Sequence, residues 1–364
     1  MTPTRSNTTP MPHPAALVLA FFAVVLAPHA APGAAAAPTA PARTEFQPGQ
    51  VWRDGGGQPI NAHGGGVLSH QGLFYWYGTH KIEGLSEAQH ADGGVHAYAS
   101  HDLMNWQDLG LVLPIDAPPS RDLTPGVNFD RPKVVYNSTT RRFVLFFKLY
   151  LRGHGTRVGF VGVATATGPA GPFVYQHKFL GGGSPEGTGD FAMFQDSDGT
   201  LYHLAVRKPD KALVVGKMQD DYLLPAGPYE VAAGITRATE APAVLKRDGR
   251  YWLLASGSTG WAPNAARSFS ASSLFGPWVD HGNPCEGVNP HNGLGPELTY
   301  GGQSTFILSL PGPTATHLAL FDINKPDHPY ESLHVWLPIS FETGRMTIPW
   351  RDQWSLGALP PAAD

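Results

Sequence analysis

From Ala62 onward the chain runs in short apolar stretches with a two-residue alternation, cut by breaks containing Gly, Asp or Pro. That is the pattern of β-strands joined by tight turns rather than of helices, whose apolar positions recur every three to four residues. One unit recurs five times. It opens on a polar residue among small ones, continues as an apolar strand, turns at Gly or Asp-Gly, and enters an aromatic strand. It closes on a strand of small residues and an edge containing Trp or Phe. The five openings are "AHGGGVLSH", "FDRPKVVYN", "GDFAMFQDSDGT", "TEAPAVLKRDGR" and "GGQSTFILS". Each unit predicts four short antiparallel strands, which cannot bury both of their faces alone; stacking such sheets radially around an axis buries them. The expected fold is all-β, a five-bladed β-propeller with an axial active-site pocket, over residues 45–357. A parallel β-helix is excluded, because intervals of 67, 60, 50 and 63 residues between the openings are too long for one coil.

In such blades the first strand is innermost and its opening residue points at the channel. Those residues are His63, Asp130, Asp190, Glu240 and Gln303. Three carboxylic side chains on one axis repel each other and lose hydration, costs that favour a functional site over a structural plug.

Composition changes the picture in three ways. Only 15% of residues are charged, against 43 Gly and 35 Pro, in keeping with many turns. A net charge of −4 supplies no basic field for nucleic acid or an anionic membrane. A single cysteine, Cys285, excludes an intramolecular disulfide and a Cys-based zinc site, so a large core must hold the chain. The N-terminus predicts export. Arg5 precedes the apolar run Ala15–Ala27, and small residues follow through Ala37. That run is too short to span a bilayer and suits a signal peptide over residues 1–37, hence a secreted or periplasmic monomer with no membrane insertion after its removal.

Convergent carboxyls at the mouth of an all-β cavity suit glycoside hydrolysis, which needs one carboxyl to protonate the leaving oxygen and another group to activate water. Glu240 has the longer reach and is the expected general acid; Asp130 is the neighbour expected to tune its pKa, with Arg131 as an alternative ion-pair partner for Asp130. Other signals are set aside. The run His63–Gly66 resembles a lipase oxyanion hole, but no Gly-x-Ser-x-Gly elbow accompanies it. Sixteen histidines include no His-Glu-x-x-His, so no metal is expected from them. The "DSDGT" segment, Asp196–Thr200, reads as a hairpin turn rather than half a calcium loop. Trp76, Trp252 and Trp278 lie in strand patterns and are expected to pack between blades, whereas Trp261, in the loop "STGWAPN", is placed at the pocket.

"INAHGGG", "RPKVVYN", "TEAPAV", "TGWAPNAARS" and "GGQSTF" together resemble glycoside hydrolase family 43, and within it the branch of exo-β-1,3-galactanases and related exo-galactosidases, from about Glu45 to Leu356. The resemblance implies exo attack on a terminal sugar of an oligo- or polysaccharide, with inversion. Most of that family carries an Asp base at the start of blade one, where this chain has His63 and three glycines. In the similar branch a Gln from blade five, matched by Gln303, stands for the base in its imidic form; a water positioned by His63 is the alternative. The branch's acid matches Glu240, and its further sugar contacts match Asp190 and Thr259. No cofactor is implied, although family analogy allows a calcium in the channel. Two departures bear on specificity: Asp130 stands where the branch has Glu, and Thr79 where it has a carboxylate. A galactopyranoside is therefore expected, with β-galactofuranosides and α-L-arabinofuranosides as alternatives. A non-catalytic sugar-binding propeller is the reading of another class, favoured by the missing blade-one carboxylate and opposed by Glu240.

Overall fold

The computed structural model describes residues 1, 42–115, 121–310 and 316–358, so the expected signal peptide lies, Met1 aside, outside the described residues. Blade one is β1 (His63–His70), β2 (Leu73–Lys81), β3 (Asp92–Ser100) and β4 (Gln107–Pro114). Blade two is β5 (Asn128–Asn137), β6 (Arg142–Tyr150), β7 (Phe160–Ala166) and β8 (Val174–Phe179). Blade three is β9 (Thr188–Gln195), β10 (Leu201–Arg207), β11 (Leu213–Lys217) and β12 (Glu230–Val231). Blade four is β13 (Thr239–Arg247), β14 (Arg250–Gly257), β15 (Arg267–Ala271) and β16 (Val279–Gly282). A short β17 (Cys285–Glu286) leads to blade five, β18 (Gln303–Ser309), β19 (His317–Ile323) and β20 (Leu333–Pro338), and β21 (Ile348–Pro349) follows. Within each blade consecutive strands pair antiparallel. The first strands touch in cyclic order, β1 to β5 to β9 to β13 to β18 and back to β1, which closes the five-bladed propeller.

Strand alternation produces five apolar clusters, one in each gap between blades. In β6, Leu145 and Phe147 face blade one while Val144 and Phe146 face blade three. A strand that must pack on both faces thus reads as a continuous apolar run. Fully burying each such side chain contributes about 1.5–3 kcal/mol. Trp76, Trp252 and Trp278 are buried in these gaps, as expected.

Blade five departs from the four-strand expectation. The turn at Gly344, with φ +72, folds Thr347 back onto Ser340 and delivers Ile348 to a parallel pairing with β17 rather than to the open edge of β20. Among the described residues no strand is exchanged between blades one and five. Their seam is closed by an aromatic cluster that includes Trp76, Trp106 and Trp336, capped by Phe46, Trp52 and Trp354, with Phe46 and Trp354 stacked at 4.1 Å.

Candidate active site

The innermost strands all bulge at the same end. In β1, His63 pairs with Thr79 and Gly66 with Tyr77; in β5, Asp130 pairs with Lys148 and Lys133 with Phe146; in β13, Glu240 pairs with Ser256 and Ala243 with Leu254. Each time three steps on the inner strand match two on its neighbour, so one residue is extra. The residue after the opening one is left-handed in all three, Gly64 at φ +64, Arg131 at +57 and Ala241 at +54. The next is Gly65, Pro132 or Pro242. Proline is tolerated inside a central strand here because a bulge residue needs no ladder N–H. In β9 the extra residue falls between Thr188 and Phe191, around Asp190, and in β18 it is Thr305. Bulges re-aim side chains, and the left-handed Arg131 and Ala241 each cost about 1–3 kcal/mol, a strain the closed ring sustains.

The re-aimed side chains meet in a cavity of about 680 Å³ whose walls include Asp130, Asp190, Glu240, Gln303 and Trp261, together with Arg131, Lys148 and Glu87. Lys148 Nζ lies 3.0 Å from Asp130 Oδ2 and 2.7 Å from Asp190 Oδ1. Arg131 reaches Asp190 Oδ2 at 3.1 Å, and its backbone N–H donates to Asp130 Oδ1 at 2.8 Å. Burial pushes both aspartates up, but Lys148 and Arg131 outweigh it, and both carboxyls are held below their ordinary values. Glu240 is in the opposite state. Burial first, then the charge of Asp190, raise its pKa, opposed by the Gly260 N–H that donates to Oε1 at 2.8 Å and by Arg131 and Lys148. One pocket therefore holds two anionic carboxylates and one carboxyl disposed to keep its proton.

Gln303 is tied on every side. Arg131 donates to its Oε1, and its Nε2 donates to Ser256 Oγ at 2.9 Å and to the Gly260 carbonyl at 3.0 Å. The Arg131 guanidinium also lies 4.7 Å over the Trp261 ring, so that loop, acid and amide share one scaffold.

Three expectations need correction. His63 does not line the pocket; its side chain is 4% exposed and turned into the seam against His334, where burial lowers its pKa to about 3. Neither sugar contact nor water positioning in the pocket is open to it. Thr259 is not in the wall either: its hydroxyl donates to the Ala262 carbonyl and accepts from Asn264 Nδ2, bracing the loop that carries Gly260. The chief charge that raises Glu240 is that of Asp190 rather than that of Asp130.

Lys148, Arg131 and Glu87 were not assigned site roles from the sequence. A lone Lys inside "RRFVLFFKLY" was a legible signal, since a buried cation in an apolar strand needs a carboxylate. Glu87 left no such trace: it sits on the β2–β3 connection, held by Lys81 Nζ at 2.9 Å, and burial raises its pKa. Thr79, where the similar branch has a carboxylate, is fully buried with its hydroxyl on the Phe129 carbonyl.

The residues of the channel do not fit a calcium. That ion takes about six to eight oxygens. Here Lys133 Nζ projects among the inner strands and donates to the carbonyls of Gly64 at 2.9 Å, Pro132 at 3.3 Å and Arg131 at 3.5 Å, occupying the oxygens such an ion would need. Beyond Lys133 a second cavity opens between the inner strands, and it shares no lining residue with the first.

The family model described as glycosyl hydrolases family 43 matches residues 66–294. Among solved structures, a β-1,3-galactosidase of that family with galactodeoxynojirimycin is 32% identical, with a TM-score of 0.76 over 85% of this chain and 100% of that one. An exo-β-1,3-galactanase from Phanerochaete chrysosporium with β-1,3-galactotriose is 30% identical, with a TM-score of 0.74 over 86% of this chain and 68% of that one. An exo-β-1,3-galactanase from Clostridium thermocellum is 28% identical, with a TM-score of 0.73 over 85% of this chain and 66% of that one. No curated protein matches the chain significantly.

Proposed function

The chain belongs to glycosyl hydrolases family 43 and is a glycoside hydrolase; from that premise we propose that it removes terminal galactose from β-1,3-linked galactan, one residue at a time and with inversion. The observation that carries the reading is the contrast of protonation within one pocket: Glu240 raised beside Asp130 and Asp190, both lowered. Glu240 protonates the departing glycosidic oxygen. Its Oε1 is engaged by Gly260 N–H, leaving Oε2 to carry the proton. Asp130 and Asp190, fixed as anions by Lys148, accept hydrogen bonds from sugar hydroxyls, and such paired acceptors discriminate strongly between epimers. Trp261 supplies apolar surface. Separation of this cavity from the one beyond Lys133 favours a terminal sugar over a chain threaded through.

Gln303 takes the base side in this proposal. Arg131 can only donate, so Oε1 accepts, and a proton taken from water would have to arrive at Nε2. That requires the imidic tautomer, in which one Nε2 hydrogen has moved to Oε1; its nitrogen keeps one hydrogen, gives up one donated bond, and on taking the water's proton becomes the O-protonated amide cation. The bond to Ser256 Oγ is the one that can reverse, because a hydroxyl both donates and accepts. We further propose that the enzyme is exported, on the strength of the apolar run Ala15–Ala27 behind Arg5.

The test is hydrolysis of β-1,3-galactan and of nitrophenyl galactopyranoside, galactofuranoside and arabinofuranoside, with the first-formed anomer read by proton NMR. Release of galactose as the α-anomer from a β-linkage is expected. Preference for either furanoside would replace galactopyranose as the substrate sugar. Binding of oligosaccharide with no cleavage of any substrate would make the chain a sugar-binding propeller instead.

A further inference from the structure

Behind the glycine run of blade one, in the seam with blade five, three buried polar side chains converge: His63 at the start of β1, Asp322 on β19 and His334 on β20. One ligating atom of each lies within 4.8 Å of the other two. Among the described residues, both ring nitrogens of His63 and Nε2 of His334 have no hydrogen-bond partner, and all three side chains are almost wholly buried. A neutral imidazole always presents one donor and one acceptor, so a dry site with three bare nitrogens is left incomplete by the protein alone.

The surroundings select what completes it. Asp322 Oδ1 and His334 Nδ1 lie 2.9 Å apart, about the separation of two ligand atoms on one ion, which would take the place of the proton they share. Asp322 Oδ2 accepts from Gly64 N–H at 2.5 Å, anchoring the carboxylate to blade one. The two imidazoles stand with centroids 5.2 Å apart, a span that two rings on one ion can make with metal–nitrogen bonds of about 2.0–2.1 Å. Lys81, whose charge reaches His63, is already paired with Asp92 at 2.6 Å and Glu87 at 2.9 Å.

We propose that His63, Asp322 and His334 bind a divalent transition ion, zinc by preference, as a staple between the first and last blades. Two imidazoles and one carboxylate suit zinc better than calcium or magnesium, which take oxygen ligands. The seam is where a staple acts most. Among the described residues the strands of blades one and five lie in separate sheets, and packing with the Phe46–Trp354 backbone bridge closes the ring there, in a chain whose single cysteine permits no internal disulfide. Gly64, held by Asp322, also backs the pocket: a Cβ on it would lie 2.7 Å from Asp130 Oδ1. The site thus joins ring closure to the wall of the active site.

The test uses the untagged full chain, stripped with a chelator and then offered zinc, manganese or calcium separately. Metal content after gel filtration and thermal unfolding are the readouts. One zinc per chain is expected, with a rise in Tm that follows zinc concentration by mass action, and little response to calcium. His63→Asn and His334→Gln should each bring zinc content and the Tm response to background. Failure of the stripped wild type to take up any of the three ions, or equal uptake by both variants, overturns the proposal. If the variants do not fold, cobalt(II) uptake by the wild type decides: visible bands of a low-coordinate nitrogen–oxygen site support it, and the spectrum of hydrated cobalt overturns it. None of these readouts depends on Glu240 or on which sugar is cleaved.

Discussion

The backbone N–H of Gly260 donates to Glu240 Oε1 at 2.8 Å, and the carbonyl of the same Gly260 accepts from Gln303 Nε2 at 3.0 Å. One residue of the "STGWAPN" loop therefore holds both the proposed acid and the proposed base-side residue. Glu240→Gln keeps the shape and the Gly260 contact but removes the transferable proton. Turnover of β-1,3-galactan should fall by about 10²–10⁴-fold. An aryl galactoside whose leaving group needs no protonation should lose much less, and kinetics on the two substrates measure the difference.

The raised pKa of Glu240 sets the alkaline limb. The acid is active while protonated, so kcat/KM should fall as pH rises through a pKa above the ordinary carboxyl value. Asp190 is the largest charge that raises it. Asp190→Asn should therefore move that limb to lower pH, with Arg131 and Lys148, freed of a partner, pushing the same way. A pH profile of kcat/KM whose limb stays in place, or moves upward, would sink this account.

Lys148 joins two buried carboxylates. Lys148→Met leaves them with Arg131 alone, and loss of one partner from a buried ion pair costs about 3–5 kcal/mol, measurable by urea unfolding at neutral pH. The pH dependence has a definite sign. Asp130 and Asp190 have native pKa values below their unfolded ones, so their contribution is present above an unfolded value of about 3.9 and is lost as pH falls below it. The variant should show a shallower loss of stability over that acidic window than the wild type.

Gln303→Ala and Gln303→Glu separate a base from a structural amide. The alanine variant should lose turnover on every substrate. The glutamate variant places a true base beside Arg131, and should retain hydrolysis with an added acidic limb where that carboxylate protonates. Undiminished turnover in the alanine variant removes Gln303 from the mechanism.

The glycines of "HGGG" are not interchangeable with open turn glycines. A Cβ on Gly65 would sit 1.8 Å from the Tyr77 carbonyl oxygen, in the bulge that opens blade one, whereas one on Gly72 meets nothing within 4 Å. Gly65→Ala should abolish or severely lower the yield of folded protein. Gly72→Ala, strained only by its φ of +80, should cost about 1–2 kcal/mol. Tm values of the two variants compare them directly.

The sequence by itself determined the repeat, and with it the architecture. Alternation such as that of "FVLFF" in β6 states which faces are apolar, and five copies that cannot bury those faces singly leave a closed ring as the solution. It also placed Asp130, Asp190, Glu240 and Gln303 at one end of one axis, because the opening residue of an innermost strand has little choice of where to point. Only the tertiary structure decided which of those groups act on which. His63 holds the same strand position as Asp130 and Glu240, yet it turns to His334 on a strand far along the chain. Asp190 is the chief charge that raises Glu240, and Lys148 and Arg131 oppose it. Thr259 props a loop instead of lining the pocket. A repeat pattern records local periodicity and burial, whereas electrostatic coupling depends on separations of a few ångströms between side chains that the chain brings together only when the ring closes.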